Sequence, residues 1–525
     1  MEYNVIRKKI RRDTIRVAYV YPSIYEVMAA SLASHMIYYM INEYYPEVYM
    51  ERFHTQKLVG EEPLPRSLET GSPLRDFPVM ITSIHYEPNI ASLIRILKSS
   101  GIEPLRRKRV QILLAGGPAV MANPHPYSEI IDAFIIGEIE ESIPMIMDRI
   151  LPFIDDKNRM LEELAGLRNV YVPGYTGDRV YRSYTPDLDQ SYYPIRQFYD
   201  TDHKHVYGAG LLLESSRGCR FWCRFCIEGR LFKPYRSRSY NVLKRIIDEG
   251  LKYVSRKRVI FYSLNFLFSQ HEKKILEYLS SNGIDYSIPS LRIETINNDL
   301  LELLRTGNQK TLTLAPESFS PRMHRLFGKY DRVKWIVDKI KDALSRGFKI
   351  KLYLISGVKG ETMDDVKNNI KVLRMLAKYA RIHNTSLSIT INPLVPKPKT
   401  MFQWIGMIEP DKAKGIIRYY RNELSSLIDT RPLYVNWAWL QAVISLGDSS
   451  LSRILVNWGS MGGDLGSWRR VLRRTGFDWS YVINGYGFDE VLPWDNIVIG
   501  ERVEEVARFE YMVWRKLFST QRFSY

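Results

Sequence analysis

Cysteine is scarce in this sequence: there are three in 525 residues, and all of them fall between residues 219 and 226. An odd count at such short spacing excludes a framework of disulfide bonds. The chain also lacks an apolar run of about 18 residues, so no segment is expected to span a membrane. The N-terminus lacks the apolar core and cleavage site of a signal peptide, and we expect the protein to be cytoplasmic.

The sequence contains fewer acidic residues than basic residues. Asp and Glu total 58 against 75 Lys and Arg, which gives a formal net charge of +17. This excess suits either a basic, soluble surface or an anionic partner such as RNA, a phospholipid head group or a phosphorylated cofactor. The basic runs lack the interleaved aromatics of nucleic-acid recognition motifs. Charge therefore admits an anionic substrate without selecting one.

Strands alternate with helices in the first third of the chain. Apolar strand-like segments occur at 15–22, 77–86, 110–120 and 132–143, and helical periodicity covers 23–46 and 88–101. This α/β pattern predicts a doubly wound parallel sheet over residues 1–150, with its ligand at the carboxyl ends of the strands. Residues 151–205, which are rich in Pro, Gly and Tyr, are expected to form a connector.

A second series of strands follows between residues 206 and 404. Six strand-like segments alternate there with helical ones, at 208–219, 258–265, 285–292, 310–318, 348–357 and 385–396. This pattern predicts a full or partial (β/α) barrel. Residues 405–525 are rich in tryptophan and are predicted to be mostly helical. Their aromatics are expected to pack against the barrel, with a wall of the substrate chamber as the alternative.

The cysteines lie in the segment SSRGCRFWCRFCIEGR, residues 215–230, directly after the first strand of this series. Three soft thiolates suit zinc or an iron–sulfur cluster. A structural zinc ion needs a fourth ligand, for which His203 or His205 is nearest in sequence, and would make the chain a zinc-stabilised nucleic-acid or ligand-binding module. An iron–sulfur cluster held by three cysteines leaves one iron free for a small molecule, which makes a reaction site. The neighbouring cations are expected to favour the thiolate form; they are Arg217, Arg220, Arg224 and Arg230.

The spacing Cys219-x3-Cys223-x2-Cys226 after the first strand of an α/β barrel resembles the radical S-adenosylmethionine (SAM) superfamily. The resemblance implies an enzyme whose three cysteines hold a 4Fe–4S cluster. The amino and carboxylate groups of SAM bind the open iron, and one electron cleaves SAM to methionine and a 5′-deoxyadenosyl radical that abstracts hydrogen. It further implies an electron donor of the ferredoxin or flavodoxin type.

Longer segments, such as LLAGGPAVMANPHPYSEIIDAFIIGEIEES and NPLVPKPKTMFQW, resemble a largely uncharacterised group of this superfamily with an N-terminal cobalamin-binding-like domain. This implies a cobalamin site near Gly116, Gly117 and Gly137, with a domain that has lost this ligand or docks substrate as the alternative. The motif Asp-x-His-x-x-Gly is absent, and His85 is not proposed as a cobalt ligand. The chain has no further cysteine for an auxiliary cluster, which disfavours methylthiolation and leaves methylation of an unactivated carbon, rearrangement or carbon–carbon coupling.

The resemblance also implies contacts with the SAM molecule. They are expected from Phe225, Gly357 and Gly360 near the adenine and from Glu317 near the ribose or the methionine part. The Gly-Gly-Glu segment that holds the amino group in the family is missing, because FYSLN (261–265) stands in its place. Ser263 and Asn265 are the candidates for this contact, and Arg292 is the candidate for the carboxylate. No catalytic acid or base is identified.

Overall fold

The computed structural model describes residues 1–177, 179–329 and 332–518. Its first part alternates short strands with helices. The strands are β1 (Glu2–Tyr3), β2 (Ile15–Tyr21), β3 (Val48–His54), β4 (Val79–Ser83), β5 (Ile112–Gly116), β6 (Ala133–Ile135), β7 (Val170–Tyr171), β8 (Val180–Tyr181) and β9 (Tyr199–Asp200). The helices are α1 (Tyr25–Ala29), α2 (Leu32–Tyr44), α3 (Ile90–Ser99), α4 (Pro118–Ala122), α5 (Ile139–Ile150) and α6 (Lys157–Ala165).

A parallel sheet in the order β3-β2-β4-β5-β6 forms the centre of this part, and β7 pairs with β6 in the antiparallel sense. Its strands are apolar along their length because both faces of the sheet are covered. Helices α1, α2, α5 and α6 cover one face, and α3 and α4 cover the other with the C-terminal helices. The doubly wound sheet predicted for residues 1–150 is confirmed. The sequence did not predict β3, and β7 comes from the expected connector.

The second part carries the other strand series. Its strands are β10 (Leu211–Glu214), β11 (Ser216–Arg217), β12 (Arg236–Ser237), β13 (Arg258–Tyr262), β14 (Asp285–Ser287), β15 (Thr311–Glu317), β16 (Lys349–Ser356), β17 (Leu387–Pro393) and β18 (Asp429–Pro432). Its helices are α7 (Glu228–Leu231), α8 (Tyr240–Gly250), α9 (Gln270–Ser281), α10 (Asn298–Thr306), α11 (Pro321–Phe327), α12 (Val333–Ser345), α13 (Met363–Ile382), α14 (Phe402–Ile405) and α15 (Pro410–Leu424).

These strands form two parallel sheets, β10-β13-β14 and β15-β16-β17-β18, which a parallel bridge between Leu291 and Leu314 links. Within the described ranges β18 makes no ladder with β10, so the arrangement is an open parallel one rather than a closed barrel. The α/β class is as predicted. The strand β18 lies beyond residue 404, and the sequence did not reveal it because its residues, DTRP, are polar as at a sheet edge.

Alternate residues of β15 and β16 face opposite sides, as the period of two in a strand requires. One side is packed against helices and carries Leu312, Leu314, Ile350 and Leu352. The other side lines a cavity and carries Thr311, Thr313, Lys351 and Tyr353. We call this second side the cavity face.

The C-terminal part consists of α16 (Val435–Ser445), α17 (Leu451–Ser460), α18 (Leu465–Thr475), α19 (Ser480–Asn484), β19 (Ile497–Val498) and α20 (Val503–Phe518). Residues 519–525 of the predicted tryptophan-rich region lie outside the described residues. Strand β19 pairs with β8 in the parallel sense. Among the helices described, none combines the length and the apolarity needed to cross a bilayer.

Two tryptophans of this part pack on the first sheet. Trp458 and Trp468 are fully buried in a cluster with Ile94 of α3. Gly459 makes the approach of α17 to α3 possible, because a Cβ there would lie 2.8 Å from the Cβ of Ile94.

Trp514 packs instead on the second part, in a cluster that includes Phe225 and Ile355 of β16. The expectation that the aromatics pack against the second strand series therefore holds for Trp514, whereas Trp458 and Trp468 pack on the first sheet.

Candidate functional site

The three cysteines lie in the loop between β11 and α7, close after β10, the first long strand of the second part. The antiparallel pair β11–β12 closes the base of this loop. Within it, the amide of Cys226 donates to the carbonyl of Cys223 at 3.0 Å, and the amide of Gly229 donates to Sγ of Cys226 at 3.5 Å. The loop thus holds its shape through its own backbone.

Gly218 makes the turn into the loop. Its φ of +83° is rarely adopted by other residues, and a Cβ would lie 2.3 Å from the carbonyl oxygen of Phe232 and 2.5 Å from that of Pro234. A side chain there would push the two ends of the loop apart. Lys233, between those two residues, donates from Nζ to the carbonyl of Cys219 at 2.9 Å.

Burial governs the protonation of the thiols. It raises the pKa of Cys226 to about 12 and raises the pKa of Cys219 as well. A cation that contacts a thiol is Arg292, whose Nη1 lies 3.9 Å from Sγ of Cys223. Its guanidinium also stacks on Phe221, 3.5 Å from the ring centroid.

The arginines in the cysteine segment do not act on the thiols as expected. Arg217 and Arg230 bind carboxylates, the latter that of Glu510 at 2.6 Å. Arg220 lies over the rings of Tyr235 and Phe268, and Arg224 donates to the carbonyl of Arg325. The prediction that they favour the thiolate form was wrong, because carboxylates, rings and carbonyls are their direct partners.

Three of the predicted SAM contacts surround the loop on one side. Ser263 shares a hydrogen bond of 2.7 Å with Ser216 and accepts from the amide of Asn265. The Asn265 side chain is 1% exposed, and its Oδ1 and Nδ2 have no partner among the described residues. Nε of Arg292 is likewise buried without a partner. Buried polar atoms normally find a hydrogen bond, so these atoms indicate a place for a polar ligand.

Glu317 and Phe225 both lie close to Lys329. Nζ of Lys329 donates to Oε1 of Glu317 at 2.9 Å and lies 6.0 Å from the centroid of the Phe225 ring. Phe225 packs edge-on against Phe327 of α11, with centroids 5.5 Å apart. Glu317 has a left-handed backbone, with φ of +63°, at the end of β15. The structure therefore brings these two predicted contacts together.

Gly357 and Gly360 form the turn after β16. Both have positive φ, and a Cβ at Gly357 would lie 3.2 Å from Cδ1 of Ile408, while one at Gly360 would lie 3.4 Å from a ring carbon of Phe518. Val358 between them belongs to the same apolar cluster as Phe225. The turn lies beside the predicted adenine contact, and part of its surface is covered by the C-terminal helix.

A first cavity, of about 460 Å³, lies at the carboxyl ends of β2, β4, β5 and β6. Gly116, Gly117 and Gly137 all line it. Only Gly116 leaves room for a side chain, because a Cβ at Gly117 would lie 2.7 Å from the carbonyl oxygen of Ile84 and one at Gly137 would lie 2.0 Å from Oγ of Ser183. The sheet thus presents a chamber where the doubly wound fold predicts a ligand.

A second cavity, of about 760 Å³, lies on the cavity face of the second part and adjoins the first. The two share six lining residues, namely Tyr207, Glu214, Arg217, Glu228, Phe232 and Tyr262. Ser263 lines the second cavity beside the cysteine loop. The two chambers are therefore neighbours that share a wall, and they lie between the strand ends of the first sheet and strand β13.

Arg217 stands in the wall between the chambers. It donates to Glu138 at 2.6 Å, to Glu140 at 2.7 Å and to Glu214 at 2.8 Å. The first two carboxylates come from the start of α5, directly after β6, so the base of the cysteine loop is tied to the first part of the chain. This network did not follow from the sequence, in which the acidic run GEIEES after a strand was its one local signal.

The histidines that a zinc site would need lie elsewhere. His203 packs on Tyr25 and faces Asp200, and His205 packs on Tyr199. In the part of the chain that the structure covers, no three side chains of His, Cys, Asp or Glu form a group that could hold a metal ion. A 4Fe–4S cluster makes a different demand from a single ion, because its cysteines bind separate iron atoms.

Comparison with known proteins assigns the family. Residues 213–373 match the family described as Radical SAM superfamily, and residues 33–173 match Radical SAM proteins, N-terminal. An uncharacterized protein of Methanocaldococcus jannaschii, MJ0966, is 31% identical over 74% of this chain and 82% of its own length. The chain belongs to the radical SAM superfamily. It is therefore an enzyme of the class that the cysteine spacing indicated.

Two further relatives are more distant. The uncharacterized methyltransferase PH0819 of Pyrococcus horikoshii is 26% identical over 50% of this chain and 58% of its own length. The radical SAM methyltransferase TsrM from Kitasatospora setae, solved with cobalamin and a [4Fe-4S] cluster, has a TM-score of 0.48 and 13% identity over 72% of this chain and 75% of its own.

The residues of the site fit the cofactors of a radical SAM enzyme. The unpartnered amide of Asn265 and Nε of Arg292 offer donors and an acceptor for a polar ligand. The three thiols of one loop supply the soft ligands that an iron–sulfur cluster takes. The residues present are therefore compatible with a cluster and a polar cofactor beside it.

Proposed function

We propose that this protein is a radical SAM methyltransferase that uses a 4Fe–4S cluster, SAM and cobalamin. The observation that carries the proposal is that a chamber at the strand ends of the first sheet shares a wall with a second chamber, which Ser263 and Arg217 line beside the cysteine loop. When bound, the cluster and SAM supply a radical that abstracts hydrogen, and the corrinoid supplies a methyl group. The two chambers would bring both to one substrate.

Cys219, Cys223 and Cys226 would hold the cluster, and burial among aromatic side chains would keep water from it. Arg292 lies beside Cys223 and would bind the SAM carboxylate. Asn265 and Ser263 would take the amino group. Ser263 and Arg292 are already positioned by contacts with Ser216 and Phe221, which limits the entropy lost when the cofactor binds.

Glu317, Phe225, Gly357 and Gly360 would surround the remainder of SAM. Lys329 fixes the Glu317 carboxylate from one side and leaves its second oxygen for a ribose hydroxyl. The turn at 357–360 lies next to Phe225 through Val358, which suits an adenine between a ring and a backbone edge.

The chamber on the first sheet would hold the corrinoid, with Gly116 in its floor. The name of PH0819, a methyltransferase, supports the methyl transfer that a corrinoid would serve. An external ferredoxin or flavodoxin would supply the electron, because the chain has no cysteines for a second cluster. The net charge of +17 suits an anionic substrate, for which RNA and a lipid head group are the initial candidates.

Titration with hydroxocobalamin tests the proposal. The wild type and Gly116→Ala are expected to bind it, since a Cβ at 116 lies 3.9 Å from its nearest neighbour. Gly116→Leu is expected to abolish binding, because the longer side chain fills the chamber, while the iron content stays at about four per chain as a 4Fe–4S cluster requires.

The wild type with a strong reductant should also convert SAM to 5′-deoxyadenosine. If hydroxocobalamin does not bind to the wild type while 5′-deoxyadenosine forms, the enzyme is a radical SAM enzyme without methyl transfer. Its first chamber would then serve as a substrate dock.

A further inference from the structure

The second cavity has one polar wall. On β15 and β16, alternate residues face this cavity, and these residues carry polar groups. In α/β barrels the residues on the inner face of the strands are usually branched and apolar. Here they are Thr311, Thr313, Lys351 and Tyr353. The part of the lining that β13 supplies is more apolar and includes Ile260 and Tyr262. The strands β15 and β16 therefore supply hydrogen-bonding groups to the cavity.

Lys351 is the notable group on this wall. Two cations line the cavity in the described residues, and Arg217 is held by three carboxylates. Lys351 is only partly exposed, and no carboxylate or hydrogen-bond acceptor among those residues contacts its ammonium group. Its ammonium group lies near the Tyr353 ring, 4.9 Å from the centroid. The charge of Lys351 is therefore available to an anionic ligand in the cavity.

Hydroxyl groups surround this lysine. Thr313 pairs with Lys351 across neighbouring strands, and Lys351 pairs with Ser388 on the other side. Paired residues of a parallel sheet project to the same face, about 5 Å apart. Thr313, Lys351 and Ser388 therefore form one row of hydroxyl, ammonium and hydroxyl. This arrangement matches the demands of an oxyanion, which takes one charge and several donors.

We infer that this row binds an oxyanion, a carboxylate or a phosphate, of a small-molecule substrate. The cavity of about 760 Å³ is within the usual range for small ligands, about 300–1,000 Å³. The inference rests on the proposed function only in naming the occupant as the substrate. It favours a small anionic molecule over a polynucleotide, because a single row of donors serves one anionic group.

The position of the row gives it a role in orientation. Lys351 lies in the third position of β16, whereas Ser263 and Arg217 line the same cavity beside the cysteine loop. An anion held at Lys351 would direct the remainder of the substrate toward the cysteines. Binding energy from a remote group would in this way position the reacting carbon.

Site-resolved chemical modification tests the inference on the full-length protein. The protein is methylated with formaldehyde and a borohydride, with and without inorganic phosphate or sodium acetate, and Lys351 methylation is followed by peptide mass spectrometry. At about ten times the Kd, an anion should slow Lys351 methylation about tenfold, since only the free site reacts. At equal concentrations of the two anions, greater protection by phosphate indicates a phosphorylated substrate, and greater protection by acetate indicates a carboxylate.

Lys244 is a matched internal control. It also lies over a tyrosine ring, 4.7 Å from the Tyr278 centroid, but its ammonium group already binds Asp248. Its methylation should not respond to either anion. Thr313→Val keeps the side-chain volume and removes one hydroxyl, so it should reduce the protection of Lys351 at a fixed phosphate concentration.

Two results would overturn the inference. One is equal methylation of Lys351 with and without both anions, and the other is protection by a short oligonucleotide but by neither small anion. Iron content and 5′-deoxyadenosine formation, measured on the same preparation, test the proposed function separately. Their loss with Lys351 still protected would remove the proposed function and leave the anion site in place.

Discussion

At the scale of single residues, the cysteine loop is defined by short contacts rather than by charge. Gly218 forms the turn into the loop, and Lys233 donates a hydrogen bond to the carbonyl of Cys219. Arg292 contacts the thiol of Cys223. Burial raises the pKa of two of the three thiols. A metal centre assembled here would therefore have to displace protons from the thiols as it forms.

Each cysteine should be indispensable for iron. Replacing Cys219, Cys223 or Cys226 with Ala is expected to reduce the iron content from about four per chain to near zero, since a cluster held by two thiolates loses its anchor. Iron assay and the visible absorption spectrum measure this. Arg220→Gln, an exposed substitution in the same loop, should keep its iron, and a cysteine variant that keeps the full complement would contradict the assignment.

Glu317 should matter for SAM and not for iron. Glu317→Gln removes the charge and keeps the shape, so the Kd for SAM is expected to rise about tenfold, as for the loss of one charged hydrogen bond. Equilibrium binding of SAM to reconstituted protein measures this. Glu302→Gln, an exposed change on α10, serves as the control. An unchanged Kd in Glu317→Gln would show that the ribose contact lies elsewhere.

At the scale of elements, the turn between β16 and α13 is held by one buried carboxyl group. Glu361 accepts from the Ser356 hydroxyl at 3.0 Å and from the amide of Gly357 at 2.6 Å. Thr362 then begins α13 with a capping box that includes Asp365. The hydrogen bonds to Glu361 thus fix the turn that we expect to contact the adenine.

This carboxyl group should make stability depend on pH. Burial raises the pKa of Glu361 from 4.5 to about 7, so the folded state binds its proton more tightly than the unfolded state. The stabilisation is complete below pH 4.5 and is lost as the pH rises through 7. Between pH 4 and pH 8 the unfolding free energy of the wild type should fall by about 3 kcal/mol more than that of Glu361→Gln.

Urea denaturation of cluster-free wild type and Glu361→Gln, run in parallel across this range, measures the difference between the two curves. Asp411→Asn, an exposed change at the start of α15, controls for the general effect of removing a carboxylate. Parallel curves for wild type and Glu361→Gln would mean that the carboxyl group is ionised in the folded protein.

At the scale of the whole molecule, the C-terminal helices join the two parts of the chain. Helix α17 packs on α3 of the first part through Trp458 and Gly459. Helix α20 reaches the cysteine loop through Glu510, which binds Arg230 at 2.6 Å. The C-terminal helices therefore brace the first sheet and the segment after the cysteine loop, whereas the chambers themselves are lined by residues between 21 and 353.

Removing the central tryptophan should destabilise the protein as a whole. Trp458→Ala is expected to lower the unfolding free energy by about 3–5 kcal/mol, the usual cost of deleting a large buried aromatic. Thermal unfolding followed by circular dichroism measures this. Tyr434→Ala, at a position 78% exposed, should leave the transition temperature nearly unchanged, and equal effects of both changes would contradict the packing described.

Local patterns were enough to predict the parallel sheet of the first part and the cysteine site. The apolar run of β2 and the spacing of Cys219, Cys223 and Cys226 need no long-range information. The partners of Arg217 did not follow from the sequence, because Glu138 and Glu140 lie 79 and 77 residues away. Lys351 showed the alternation of a strand, but a lysine in a strand normally indicates a solvent-exposed face, and only the cavity shows otherwise.

The ion pair between Arg230 and Glu510 can form only late in the synthesis of the chain. These residues are 280 positions apart in the chain, and synthesis proceeds at about 5–20 residues per second, so roughly 14–56 s separate their appearance. During that interval the cysteine loop exists without the helix that covers it. A cell making this enzyme would therefore have to protect the thiols of the unfinished chain or load the cluster after release from the ribosome.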